Sequence, residues 1–177
     1  MRKLKMRLFT AIRFNSEINS ALLGIMEQLR SANIRGSYTK PENLHLTLAF
    51  IGDYPDPDFV LETLGQVRFT PFELSIGSLG SFGRLWWAGI TAPEELRNTV
   101  ARIRHYLADA DIPFDRKKFS PHITLLREPG TLTMPEISVP DARMTVTEFS
   151  LMRSDRGKRG MIYTELGAVT ATTDRRP

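Results

Sequence analysis

The 177-residue chain has no cysteine and only three histidines. Without thiols there are no disulfides and no thiolate metal ligands, and three imidazoles are too few to expect a protein-built zinc site. No apolar run approaches the length that crosses a bilayer. The basic start, residues 1–6, is followed by a short apolar run that Arg13 interrupts, too short for a secretory leader. No long polar or low-complexity tract breaks the chain. These absences lead to the expectation of an unexported cytoplasmic protein with no membrane partner, no metal and no cofactor. What is present is 41% apolar content, enough for one sizeable core, and a formal net charge of +4. That charge leans toward anionic ligands without being a nucleic-acid signature. It is concentrated in Arg116-Lys117-Lys118 and again between Arg153 and Arg159.

Two of the three histidines stand in matched settings, His45-Leu46-Thr47-Leu48 and His122-Ile123-Thr124-Leu125, 77 residues apart. Strict alternation of polar and apolar residues marks a half-buried strand. On such a strand His and Thr share one face while Leu or Ile enters the core. Each tetrapeptide thus offers an imidazole beside a hydroxyl. The third histidine, His105, lies off the apolar stripe of a predicted helix, has no Thr two residues on, and reads as surface.

In chain order, strands are predicted over 5–14, 44–51, 72–76, 84–90, 121–126, 144–152 and 161–166. Helices are predicted from Ser16, as N-cap, to an end near 31–36, over 57–66, and from Pro93 through the stripe Leu96, Val100, Ile103 and Leu107. Residues 77–83 read as a glycine-bearing turn, 128–140 as a loop and 170–177 as a frayed polar end. The 77-residue offset also lays Arg7-Leu8-Phe9 on Arg84-Leu85-Trp86, Glu17 on Glu94, and Phe72-x-Leu74 on Phe149-x-Leu151. A repeated unit of strand, helix, motif strand and F-x-L strand follows. It implies one domain over 1–168, with two α+β lobes about a pseudo-twofold axis, and a polar tail over 169–177. If equivalent strands face each other, His45 and His122 converge on one ligand.

An imidazole exchanges protons near neutrality. Two of them on opposite sides of a phosphorus atom suit in-line displacement, one taking a proton from the attacking oxygen and the other giving one to the leaving oxygen. The Thr hydroxyls can hold the non-bridging oxygens. With these residues in place the sequence resembles the two-histidine phosphoesterase superfamily. More narrowly it resembles the bacterial and archaeal RNA 2',3'-cyclic phosphodiesterases, also named 2'-5' RNA ligases. The matching stretches are Met6-Arg7-Leu8-Phe9-Thr10-Ala11-Ile12, then Pro41-Glu42-Asn43-Leu44 leading into the first motif and on to Gly52, and Phe119-Ser120-Pro121 leading into the second and on to Arg127. Together the resemblance spans about residues 6–167.

The resemblance implies a duplicated bilobal α+β fold, with antiparallel sheets lining a central groove and helices outside. It also implies metal-independent hydrolysis of an RNA terminal 2',3'-cyclic phosphate to a 2'-phosphate, with 2'-5' joining as the reverse chemistry. By analogy His45 is the general acid, His122 the general base, and Thr47 and Thr124 bind the phosphate. Phe50 and Arg127, each five residues past its histidine, flank the terminal base. Plain strand parity puts that position on the face opposite the histidine, so both assignments require a bend or bulge. Arg127 could instead pair with the phosphate. The chain departs from the family pattern in Gly36-Ser37-Tyr38-Thr39-Lys40, where relatives often carry Trp or Val, and in a short segment after the second motif. The partner expected is RNA ending in a cyclic phosphate, tRNA fragments among the candidates, acted on by a monomer. The alternatives are a phosphodiesterase for a small cyclic nucleotide or a 2'-5' oligonucleotide, and a non-catalytic module that binds RNA ends.

Overall fold

Two antiparallel sheets carry the architecture of the computed structural model, which describes residues 4–173. The strands are β1 (Met6–Arg13), β2 (Ser37–Tyr38), β3 (His45–Tyr54), β4 (Phe72–Phe82), β5 (Leu85–Thr91), β6 (His122–Arg127), β7 (Arg143–Val146), β8 (Glu148–Gly157) and β9 (Gly160–Thr170). Helices α1 (Ser16–Ser31), α2 (Pro57–Leu64) and α3 (Glu94–Asp109) complete the α+β fold. One sheet runs β3-β1-β8-β9 and the other β2-β6-β5-β4-β7. Among the described residues no helix is long and apolar enough to cross a membrane. Residues 1–3 of the basic start, and residues 174–177 of the predicted frayed end, lie outside the described residues.

The helices form where apolar residues recur every three or four positions. In α1 that stripe is Ile18, Ala21, Leu22, Ile25, Met26 and Leu29, all buried. In α3 it is Leu96, Val100, Ile103 and Leu107, with Thr99 beside them. Each fully buried aliphatic side chain contributes about 1.5–3 kcal/mol before the entropy of ordering is subtracted. Two helix starts differ from expectation by one residue. The cap of α1 is Asn15, not Ser16: its side-chain oxygen accepts from the Ile18 amide at 2.9 Å. Pro93 caps α3 rather than beginning it.

Strand boundaries also move: β3 runs on to Tyr54, past its predicted end at 51, and β2 is a strand that was not predicted. The predicted turn over 77–83 is strand, because β4 continues to Phe82 and the reversal is confined to Gly83 and Arg84. Gly80 serves close packing instead: a Cβ there would lie 2.3 Å from the Trp87 ring. The single strand predicted over 144–152 is two strands in different sheets, β7 against β4 and β8 against β1. The apolar phase changes between Val146 and Phe149, so one unbroken strand could not have buried both residues on the same face. Finally β9 runs through Thr170, and Thr172 then donates from its backbone to the Phe69 carbonyl at 2.8 Å. The polar end is therefore tied down for longer than its composition suggests.

The 77-residue offset carries β1 onto β5, β3 onto β6 and β4 onto β8. Both sheets then show the same neighbour order: motif strand, first strand, F-x-L strand. The F-x-L strands are exchanged, however. β4, from the first half, pairs with β5, and β8, from the second, pairs with β1. A two-residue turn joining β4 to β5 explains this, since closing a local hairpin costs far less entropy than returning the strand to β1. One large core lies on one face of these sheets, and a small separate cluster of Phe9, Ala11 and Met152 lies on the other, with Phe50 and Tyr163 packed on it.

Candidate active site

The small cluster belongs to the face of β1, β3, β8 and β9 that lines a cavity of about 1010 Å³. His45, Thr47 and Phe50 line it from β3, and His122, Thr124 and Arg127 from β6. All six residues singled out in the sequence therefore meet in one groove. His105 does not: it is exposed on α3 and pairs with Asp109 at 3.3 Å.

The presence of Phe50 and Arg127 in the groove has a specific backbone cause. Along β3, Ala11 pairs with Thr47 and Thr10 with Ala49, so Leu48 is an extra residue. Along β6, Trp87 pairs with Thr124 and Trp86 with Leu126, so Leu125 is extra. Each bulge inserts one residue and flips the strand parity beyond it. Leu48 and Ala49 are both buried, as are Leu125 and Leu126, and residue five past each histidine returns to the groove. The two bulges are themselves 77 residues apart.

The imidazoles are oriented in the same way. His45 Nδ1 lies 2.6 Å from the Asn43 carbonyl, and His122 Nδ1 lies 2.7 Å from the Ser120 carbonyl. A carbonyl only accepts, so Nδ1 carries the hydrogen in both rings, which leaves the lone pair of the neutral imidazole on Nε2. His45 Nε2 is 3.0 Å from Thr47 Oγ1. Asn43 is buried, and its side-chain amide donates to the Met161 carbonyl at 2.9 Å, which fixes the carbonyl that holds His45. Burial pushes the His45 pKa below the ordinary histidine value; the Asn43 hydrogen bond opposes the shift, and the nearby His122 adds to it.

Aromatic rings wall both histidines. Phe9 and Tyr163 stand 5.1 Å from His45, the latter edge-on. Phe82 stands 5.1 Å from His122, also edge-on, and Trp87 6.4 Å from it. Further groove residues carry charge: Arg7, Lys40, Arg156 and Arg159, with Asp115 the one carboxylate among the described residues. Arg7 lies over the Phe50 ring at 4.8 Å. Of the two basic stretches noted in the sequence, the second supplies Arg156 and Arg159, while Arg153 is paired with Asp155 at 2.8 Å. The first does not line the cavity, although the Asp115 amide beside it donates to the Phe50 carbonyl at 2.8 Å. Arg7, Lys40, Asn43 and Tyr163 were not singled out in the sequence as site residues. The aromatic repeat that lays Tyr163 on Trp86, and Trp86 on Phe9, was the available signal for Tyr163.

A family model described as the 2'-5' RNA ligase superfamily matches residues 18–158. The chain is 31% identical over 176 residues to the RNA 2',3'-cyclic phosphodiesterase of Thermus thermophilus, covering 91% of this chain and 88% of that one. It is 30% identical over 169 residues to the RNA 2',3'-cyclic phosphodiesterase of Escherichia coli, covering 90% and 93%. Among solved structures it is similar to Escherichia coli LigT complexed with 3'-AMP. The TM-score is 0.84 at 26% identity, over 96% of this chain and 99% of that one.

Proposed function

The chain belongs to the 2'-5' RNA ligase superfamily, and from that premise we propose that it hydrolyses the terminal 2',3'-cyclic phosphate of RNA to a 2'-phosphate. Water attacks phosphorus and its proton passes to His122 Nε2. The bond from phosphorus to O3' breaks, and O3' takes a proton from His45 Nε2. Thr47 and Thr124 hold the non-bridging oxygens, and Phe50 and Arg127 flank the terminal base. Nothing in these steps calls for a metal. The observation that carries the reading is the shared setting of the two imidazoles, each with Nδ1 on the carbonyl two residues before it and each lining the same groove.

The low pKa of His45 fits the acid's role. Burial disfavours its charged form, and a phosphate monoanion alongside favours it. His45 is then charged chiefly against the anion that it will protonate, and it gives the proton up readily. Among the described residues five cations in the groove, Arg7, Lys40, Arg127, Arg156 and Arg159, face one carboxylate, which favours a polyanion over a small cyclic nucleotide. A cytoplasmic monomer working on cleaved RNA, tRNA fragments included, belongs to the same proposal. So does the organisation as one two-lobed domain built on the repeat.

The test is incubation of the purified protein, in EDTA, with an RNA ending in a 2',3'-cyclic phosphate. The expected product is a 2'-phosphate, formed at least about 100-fold more slowly by His45→Ala and by His122→Ala. Full activity in either variant, or a 3'-phosphate product, overturns the mechanism.

A further inference from the structure

The two histidines differ in what their aromatic walls leave open. Phe9, beside His45, is 4% exposed, whereas Phe82, beside His122, is 48% exposed. Phe82 pairs across the β4–β5 turn with Leu85, which lines the groove, so the two side chains share that face. Its other neighbour is Trp87, at 5.1 Å between ring centroids. Trp87 in turn lies across Gly80, where any side chain would collide with the indole. The indole Nε1 is buried with no hydrogen-bond partner among the described residues. The pair is therefore a supported aromatic surface, open at Phe82 and set against the ring that we assign as the base.

We propose that Phe82, backed by Trp87, is the stacking surface for a second nucleoside, the one whose 5'-hydroxyl takes the place of water. The inference rests on the reading under Proposed function. In-line displacement puts the incoming oxygen on the side of His122 and the departing O3' on the side of His45. Water needs no platform on the incoming side, but a nucleoside does. In joining, the 5'-oxygen forms the new bond to phosphorus and its proton passes to His122, while the bond to O3' breaks and O3' takes the proton of His45. The result is a 2'-5' linkage and a free 3'-hydroxyl. Cleavage of a 2'-5' linkage is the reverse, with the 5'-nucleoside leaving across Phe82. Phe82 thus sets the division between hydrolysis and joining.

The test measures two rates on the same preparations. One is hydrolysis of an RNA 2',3'-cyclic phosphate; the other is cleavage of a 2'-5'-linked oligonucleotide, with joining to a 5'-hydroxyl oligonucleotide as its reverse. Stacking of a base on an aromatic ring predicts that Phe82→Ala lowers the ratio of 2'-5' cleavage to hydrolysis about five- to hundredfold. The loss should appear as a raised KM for the 5'-hydroxyl strand, and Phe82→Tyr should keep the wild-type ratio. A side chain that merely props His122 would lower both rates by one factor. An unchanged ratio in Phe82→Ala overturns the inference, as does a Phe82→Tyr ratio as low as that of Phe82→Ala. Wild-type hydrolysis with no 2'-5' cleavage or joining overturns it too, and leaves the hydrolase reading standing. Loss of wild-type hydrolysis itself removes that reading and this inference with it.

Discussion

The proposed mechanism asks His45 to hold a proton in a place that disfavours one. Burial keeps its pKa below about 6.5, the ordinary value. The folded state therefore binds fewer protons than the unfolded chain at pH values between the two pKa values, and stability rises with pH across that window. The contribution is fully present above about pH 6.5 and is lost as the pH falls through the folded-state value. Thermal melts should show wild-type Tm falling more than that of His45→Gln between about pH 7 and pH 5. Equal slopes would mean that His45 carries no such linkage. Its place in one groove with His122 was legible in the sequence, from the alternation and the matching partner. Its burial and its hold on the Asn43 carbonyl were not, because both depend on packing from β9 and on the bond from Asn43 to Met161.

At the level of the element, the bulges decide what the groove contains. Strand parity alone would have sent Phe50 and Arg127 out of it, and the paired apolar residues Leu48-Ala49 and Leu125-Leu126 are the local sign that parity breaks. A bulge is defined by which partner each residue meets, so the sequence can require one without proving one. The same limit explains the split of residues 144–152, where a change of apolar phase was visible but the change of sheet was not.

The edge strand β2 guards the second bulge. Ser37 pairs with Arg127 and Tyr38 with Leu126. Gly36, just before it, has a φ of +154°, and a Cβ there would lie 2.7 Å from the Leu126 side chain and 2.9 Å from the carbonyl oxygens of Arg127 and Glu128. Gly36→Ala should therefore cost about 1–3 kcal/mol, or several degrees of Tm in a chain of this size. The stretch around Gly36 and Ser37 is thus packed on Arg127, and this substitution should also raise KM for the RNA substrate. An unchanged Tm would show that the β6 backbone yields freely there.

On the scale of the whole molecule, charge and topology act together. The groove cations come from separate parts of the chain: Arg7 on β1, Lys40 before β3, Arg127 on β6, and Arg156 and Arg159 at the β8–β9 hairpin. For an oligonucleotide substrate, log kcat/KM should fall steeply with log salt, and a mononucleoside cyclic phosphate should show a much shallower dependence. Replacing Arg156 and Arg159 with Gln should flatten the oligonucleotide slope by roughly 0.7 for each phosphate contact removed. Identical slopes for both substrates would place the polymer elsewhere. The composition showed the excess of positive charge, whereas its convergence required the fold.

The exchanged strands have a mechanical consequence. Each sheet contains backbone from both halves of the chain, with β8 stitched to β1 and β4 stitched to β5. The halves are laced rather than hinged, so neither can swing aside without tearing main-chain hydrogen bonds. The spacing of the two imidazoles is then set by the weave itself, and an RNA end enters a slot already cut to width.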